Sequence, residues 1–363
     1  MNVTVSTHAG YTARRKPPSE AGPYTEDRHA RFEVGEYHFL CVFDGHGGDE
    51  TSSALARIVP DLARECFTSV ETSVEAALLL LFERIDAEIT AESGITKSGS
   101  TCNVTVIHAP TRVMTVASLG DSPTLVYEAP ASREAPASRE APASREAPAS
   151  REAPALVFRT KDQDCADEEE QARLRALGLH VFEQRVVAPD GTTHATGVFR
   201  CRTAVGTDTM TMSSFGDAAH DVPRGAVNKV PRVYPSQRLS DSAVVLVCSD
   251  GCMEHIAPFS HTLIKPSADA RADEIAGHIG DYFRSGAHFG PHFGSEASGP
   301  SGPSGPSGAI NPSKQSLAEY ITERQIESMA QARHRACASD YASDRAWVER
   351  EFDNQTVIAA CVL

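Results

Sequence analysis

The apolar run Tyr37–Phe43 stops on Asp44-Gly45-His46-Gly47-Gly48-Asp49, and no other stretch constrains the chain as much. The run reads as a buried strand, and the glycines behind it let the backbone turn sharply. The strand delivers a carboxylate and an imidazole to its end with little side-chain bulk after them, which is the form of a site. An ordinary strand-to-helix turn can carry the same residues, so the remainder of the chain has to separate the two.

Three more aspartates repeat the setting. The β-rich run Val113–Leu119 ends in Gly120-Asp121-Ser122, the hydrophobic run Ser242–Cys248 ends in Ser249-Asp250-Gly251, and Asp353 stands just before the strand-like Thr356–Leu363. Asp44, Asp121, Asp250 and Asp353 are far apart in sequence, yet each lies at the edge of an apolar strand. Brought together at sheet ends, such carboxylates repel one another and require compensation. Hard divalent cations supply it, and an all-oxygen ligand set favours Mg2+ or Mn2+ over zinc. Two such ions sharing a carboxylate can hold a bridging water, lower its pKa and bind phosphate oxygens. His46, beside them, is placed to protonate a leaving group. Charge points the same way. With 34 basic against 49 acidic residues the net charge is −15. That argues against non-specific nucleic-acid binding and against anionic membrane surfaces, and it leaves phosphate to be handled by local cations.

The rest of the chain alternates strands and helices. Asn2–Thr7 alternates as a half-buried strand, and Glu50–Cys66 reads as a helix that Pro60 is expected to break or kink. Val74, Ala77, Leu78, Leu81, Ile85 and Ile89 form one apolar helical stripe, read as core packing. Cys102–His108 and Val113–Leu119 flank Ala109–Arg112 as a hairpin. Thr124–Tyr127 and Leu156–Thr160 are short strands on either side of residues 128–155, a Glu-Ala-Pro-Ala-Ser-Arg hexapeptide repeated back to back. Proline in every unit blocks regular structure and the composition cannot bury a core, so a disordered insertion at the tip of a hairpin is expected. Asp162–Leu177 reads as a short helix, Val181–Val187 as a strand, Gly197–Asp221 as a long loop and Val230–Tyr234 as an edge strand. Ala270–Phe283 and Leu317–Arg335 read as helices, and the Gly/Pro/Ser-rich segment 290–308 as a second low-complexity insertion. Residues 1–363 thus read as a single domain with two insertions. Nine scattered cysteines without a Cys-x-x-Cys pair, no secretory signal at the start and no apolar run of spanning length give the expectation of a cytoplasmic or nuclear protein with no membrane partner.

In their order, these motifs resemble the metal-dependent serine/threonine protein phosphatases of the PPM, or type 2C, family. Phe43-Asp44-Gly45-His46-Gly47-Gly48 is similar to the family signature, Glu26-Asp27 to its early Glu-Asp pair, and Ser98-Gly99-Ser100-Thr101 to its Ser-Gly-Ser-Thr. Gly120-Asp121-Ser122 resembles its Gly-Asp-Ser-Arg, with Pro123 where arginine is usual. Ser249-Asp250-Gly251 resembles its Asp-Gly strand end, and Asp353-Asn354 its terminal Asp-Asn. The resemblance implies an α+β fold, a central antiparallel β-sandwich flanked by α-helices in four αββα layers, with two Mg2+ or Mn2+ ions and room for a third. It implies that Asp44 bridges two ions, with the Gly45 carbonyl on one and Asp250 and Asp353 on the other. The Glu26-Asp27 pair would belong to the same centre, Glu26 through a metal-bound water. Asp121 with Asp250 would match the weaker third site, and His46 would be the general acid. The implied reaction is direct attack of metal-activated water on phosphoserine or phosphothreonine, with no phosphoenzyme, by a monomer whose partners are phosphorylated proteins.

The sequence departs from that pattern at one substrate-binding position. The family usually has an arginine four residues before the Glu of its Glu-Asp pair, where it binds substrate phosphate. Here that residue is Gly22, and Arg14 or Arg15 are the candidate replacements. The family's Ala-Leu-Gly-Asp loop appears as Ser213-Ser214-Phe215-Gly216-Asp217, on the expected substrate side, and Glu254 stands for an acidic residue that tends to follow the Asp-Gly. The departure leaves two rival readings: a weakly active or inactive member that binds phosphoproteins as a regulatory module, and a phosphatase of small phosphoesters.

Overall fold

The computed structural model of the chain describes residues 1–8, 25–68, 73–92, 95, 97–128, 153–188, 190–256, 263–285, 315–337 and 355–361. Strand Tyr37–Phe43 shows why its apolar run is unbroken: both of its faces are buried, in different layers. Phe39, Cys41 and Phe43 pack toward helices. Leu40 and Val42 pack with Val116, Val126, Val245, Val247 and Ile358 in the interior between two sheets, as a period of two requires.

Those sheets form a sandwich, each of five strands joined by antiparallel pairs. The first sheet runs in the order Asn2–His8, Gln355–Cys361, Ala243–Cys248, Thr124–Glu128, Ala155–Arg159. The second runs Arg232–Arg238, Val113–Leu119, Cys102–His108, Tyr37–Phe43, Arg28–Val34. Helices α1 (Glu50–Thr68) and α2 (Val74–Ala91) cover the second sheet through Leu55, Val59, Leu78, Leu81 and Ile85. Helix α1 runs through Pro60 without a break. The expected break fails because Leu55, Val59, Ala63 and Phe67 keep a buried stripe across the proline, and tertiary burial outweighs one lost backbone bond. Helix α2 starts where the Ser73 hydroxyl accepts from the Ala76 amide at 3.2 Å.

Helix α3 (Glu168–Ala176) lies in a lateral lobe with the hairpin His180–Val187/Thr193–Arg202. The lobe has its own small core of Cys165, Leu174, Val181, Cys201 and Met212. Two expectations change here. The helix begins only at Glu168, where the Asp167 carboxylate caps the Glu169 amide and three glutamates occupy the first turn. The stretch expected as a loop from Gly197 opens as strand, because cross-strand pairing and the burial of Val198 and Cys201 stabilise a locally uninformative sequence. Helices α4 (Ala268–Arg284) and α5 (Leu317–Cys337) cover the first sheet through Ile275, Ile279, Tyr282, Tyr320 and Ile321. The result is the expected four-layered α+β sandwich.

Glu128 pairs with Ala155, so the hexapeptide repeat joins two paired strands as a hairpin insertion would. Residues 129–152 and 286–314, which hold most of the first low-complexity segment and all of the second, lie outside the described residues. Among the described residues, no helix is long and apolar enough to cross a membrane.

Candidate metal centre

The two sheets meet at one end of the sandwich, and each brings an aspartate there. Asp44 follows the Tyr37–Phe43 strand of the second sheet; Asp250 follows the Ala243–Cys248 strand of the first and opens a short 3-10 turn. The Asp250 amide faces the Asp44 carboxylate at 3.4 Å. Asp44 is pinned from both sides by Thr101. Its amide donates to the Thr101 hydroxyl at 3.1 Å, and its carbonyl accepts from the Thr101 amide at 2.9 Å. The Thr101 hydroxyl in turn meets that of Ser122 at 2.7 Å. The Ser-Gly-Ser-Thr and Gly-Asp-Ser motifs therefore hold Asp44 in place. Gly45 permits a close approach: a Cβ there would stand 2.3 Å from the Glu26 carbonyl oxygen. Arg28 ties the same two segments together, donating to the Thr25 and Asp27 carbonyls at 2.9 and 2.7 Å and pairing with Asp49.

Asp27 gives the physical test of whether these residues suit a cation. Both of its carboxylate oxygens are buried and neither has a hydrogen bond of normal geometry. Burial pushes the carboxyl up to about 6, the nearby hydroxyls of Ser249 and Thr356 oppose the rise, and the Asp250 charge adds to it. A buried carboxylate left without a partner is costly, and here it stands in the electrostatic field of Asp250 with Asp44 close by. Hard oxygen donors of one sign are the chemistry that suits divalent cations, although among the described residues no three His, Cys, Asp or Glu side chains are gathered closely enough to form a complete cation site. Asp353, Arg14 and Arg15 lie outside the described residues, as does Gly22. The strand that follows Asp353 is anchored beside Asp250: the Thr356 amide donates to the Ser249 hydroxyl at 2.9 Å, and the Ser249 amide to the Thr356 carbonyl at 3.0 Å.

Asp121 is 4% exposed. Burial, and then the charge of Asp250, hold its carboxyl well above the usual range, while Lys265 pulls the other way. Lys265 was not anticipated from the sequence. Its ammonium sits 2.6 Å from Asp164 and 3.0 Å from Asp162, with 13% of the side chain exposed. Burial alone would lower its pKa, but Asp162, Asp164, Asp121 and Glu254 raise it well above the ordinary lysine value. Lys265→Met is expected to destabilise the protein by about 3–5 kcal/mol, because it strands buried carboxylates. Urea unfolding of the two chains measures this; equal midpoints would mean that the pairs carry no net weight.

A second unit, an acid–carboxylate pair, is built on a small three-stranded sheet. Gly45–His46 pairs with Gly99–Ser100, which pairs with Phe215–Gly216, so that Gly99 lies opposite both His46 and Gly216. This brings His46 Nε2 to 2.6 Å from Asp217 Oδ2. Asp217 is 3% exposed, has φ +53°, and also accepts from the Ser214 hydroxyl at 2.6 Å. A Cβ at Gly99 would fall 2.1 Å from Asp217 Oδ2 and 2.3 Å from His46 Nε2, so only glycine leaves room for the pair. Although burial acts the other way on each group, the ion pair wins on both. Asp217 is held below the usual carboxylate range, chiefly by His46, and His46 is raised by Asp217, Glu26 and Asp250. The protonated imidazole is therefore favoured, as a proton donor needs. The sequence expectation of a substrate-side loop at Asp217 does not include this contact with His46. The Gly216-Asp217 dipeptide, like that at Asp121, is the local signal in the sequence.

With this geometry in view, comparison with known proteins gives the class. A sequence model of the family described as "Protein phosphatase 2C" matches residues 26–260. The chain belongs to the protein phosphatase 2C family. Among solved structures it resembles the serine-threonine phosphatase 2C of Toxoplasma gondii, with TM-score 0.57 and 15% identity over 98% of this chain and 93% of that one. A sex determining protein of C. elegans is similar at TM-score 0.53 and 18% identity, over 100% of this chain. The chain spans 65% of the length of that protein. At these identities the likeness is one of fold. No curated protein sequence matches the chain.

Proposed function

We propose that the chain is a Mg2+/Mn2+-dependent protein phosphatase that hydrolyses phosphoserine and phosphothreonine. The observation that carries this reading is the buried, unpartnered Asp27 carboxylate at the seam where Asp44 and Asp250 meet, with the His46–Asp217 pair close enough to feel Asp250. In this reading Asp44, the Gly45 carbonyl, Asp250 and Asp353 would hold the ions. Glu26 and Asp27 complete the surroundings, Glu26 acting through water, and Asp121 with Asp250 offers a weaker third position. Bound there, the ions supply a water of lowered pKa and positive charge for phosphate oxygens. The chain's own residues do the rest. His46 donates a proton to the departing serine or threonine oxygen, and Asp217 keeps that imidazole protonated and oriented. Thr101 and Gly45 fix the Asp44 backbone, and Arg14 or Arg15 receive the substrate phosphate in place of the residue missing at Gly22. Eight of the nine cysteines are described as buried and unbridged, in keeping with a reducing compartment such as the cytoplasm or nucleus.

The test uses the full chain and a phosphothreonine peptide. Phosphate release is expected with Mn2+ or Mg2+, is expected to stop on adding EDTA and to return with excess metal. Release no faster than the EDTA control would refute the reading. Release from nitrophenyl phosphate but from no phosphopeptide would replace it with a small-ester phosphatase, and capture of the peptide without turnover with a binding module.

A further inference from the structure

Lys229 is a half-buried lysine with no place in the chemistry above. Its ammonium donates to the carbonyl oxygens of Ser214 and Gly216, both at 2.7 Å. Those carbonyls bracket the turn that sets Asp217 against His46. The segment before Lys229 runs beside the same turn: the Ser214 amide donates to the Asn228 carbonyl at 3.2 Å, and the Asn228 amide to the Met212 carbonyl at 2.7 Å. The turn needs holding. Gly216 has φ +75° and Asp217 φ +53°, and left-handed backbone in a residue with a side chain costs about 1–2 kcal/mol. A neutral turn would leave its carbonyls to water. Here a charged donor takes two of them, and charge-assisted bonds are roughly twice as strong as neutral ones. Burial holds the Lys229 pKa below the ordinary lysine value, and the charges of Asp217, Asp86 and Asp221 oppose that fall and favour the ammonium. The Asp217 charge is thus faced by His46, by His220 at 3.4 Å and by Lys229.

We propose that Lys229 is a positioning residue for the proton donor: by clamping the Ser214 and Gly216 carbonyls it fixes the turn that lets Asp217 hold His46. The role rests on the phosphatase reading for its consequence in catalysis, but not for its geometry. Two measurements separate the two. The first is a proton NMR spectrum of the full chain. A His46 ring N–H bonded to Asp217 gives a downfield, slowly exchanging resonance, assigned by its loss in Asp217→Asn. It is expected to disappear in Lys229→Met, which keeps the stem without the charge, and to persist in Lys229→Arg. Its persistence in Lys229→Met overturns the proposal whether or not the chain has activity. The second measurement compares leaving groups. A nitrophenolate departs without a proton, whereas a threonine alkoxide needs one. Lys229→Met is expected to lower kcat on a phosphothreonine peptide by about 10–100-fold, part of the worth of a general acid, with KM and the rate on nitrophenyl phosphate within about 3-fold of wild type, and Lys229→Arg to restore most of the loss. An equal fall on both substrates would mean general damage to the fold and would also overturn the proposal. Wild type inactive on both substrates, with the NMR pattern as expected, would remove the phosphatase reading alone.

Discussion

Asp44→Asn is expected to lower metal-dependent phosphate release from a phosphothreonine peptide by about 1,000-fold or more. That corresponds to roughly 4 kcal/mol of lost charge stabilisation at a cation site. The substitution is nearly isosteric, and the new amide oxygen can still face the Asp250 amide as the carboxylate does at 3.4 Å. What disappears is one negative charge and the second anionic oxygen that two ions would share. The same change should leave the metal-free protein about as stable as wild type, because the backbone bonds of residue 44 to Thr101 and the contact with the Asp250 amide can all be kept. Activity therefore falls while the melting temperature in EDTA stays where it was. A variant that keeps full activity at saturating Mn2+ would show that the centre does not lie at Asp44. A variant that loses activity together with metal-free stability would show that Asp44 holds the fold and not the cations.

The second large effect concerns the His46–Asp217 pair. Asp217→Asn is expected to cost about 100-fold in kcat on the peptide, at the lower end of the range for general acid catalysis, and to change the pH profile. The sign follows from His46. Its pKa is raised by Asp217, Glu26 and Asp250 against burial, so the proton-donating form persists to higher pH than in an ordinary histidine. Activity that needs this form is present below the raised pKa and is lost as pH rises through it. Removing the Asp217 charge lowers that pKa, so the alkaline limb of kcat moves to lower pH. Gly99→Ala should reproduce the loss without removing any charge, since its methyl would stand 2.1 Å from Asp217 Oδ2 and 2.3 Å from His46 Nε2. Profiles of kcat measured for the three chains between about pH 6 and 9 check both statements. An unmoved alkaline limb in Asp217→Asn would take the donor role away from His46.

What the sequence disclosed was what local physics determines. Tyr37–Phe43 and the hairpin Cys102–His108/Val113–Leu119 appear with the bounds read from their residues, because burial on both faces and a tight turn both leave a local mark. Asp44, Asp121 and Asp250 were legible because a strand end followed or preceded by glycine is a short-range pattern. Arg28–Val34 was not seen as a strand. It is an edge strand whose only buried positions are Ala30 and Val34, and its arginines mask the alternation. The Asp217 contact with His46 was out of reach for a different reason. The residues are 171 apart in sequence and meet only because three two-residue strands, each too short to register as a pattern, line up. Lys265 and Lys229 are similar cases. Each is a lone lysine in an undistinguished stretch, and only the tertiary fold reveals the carboxylates of Asp162 and Asp164 around one and the turn carbonyls under the other.

The strand order of the first sheet has a consequence for the timing of synthesis. Gln355–Cys361 is not an edge strand but lies between Asn2–His8 and Ala243–Cys248, and Asn2 is paired with Cys361. Contacts of such sequence separation form late and fold slowly. As the chain emerges from a ribosome, the second sheet can assemble once residue 238 is out. The first sheet must then wait, with apolar strand edges open, while more than a hundred further residues are added. Until residue 356 arrives, Ser249 lacks both of its backbone-linked bonds to Thr356, and nothing on that side anchors the neighbouring Asp250. The chemistry assigned to the seam therefore requires the strand Gln355–Cys361, and a nascent chain that has not reached it is exposed to aggregation and chaperone capture before it can act on any substrate.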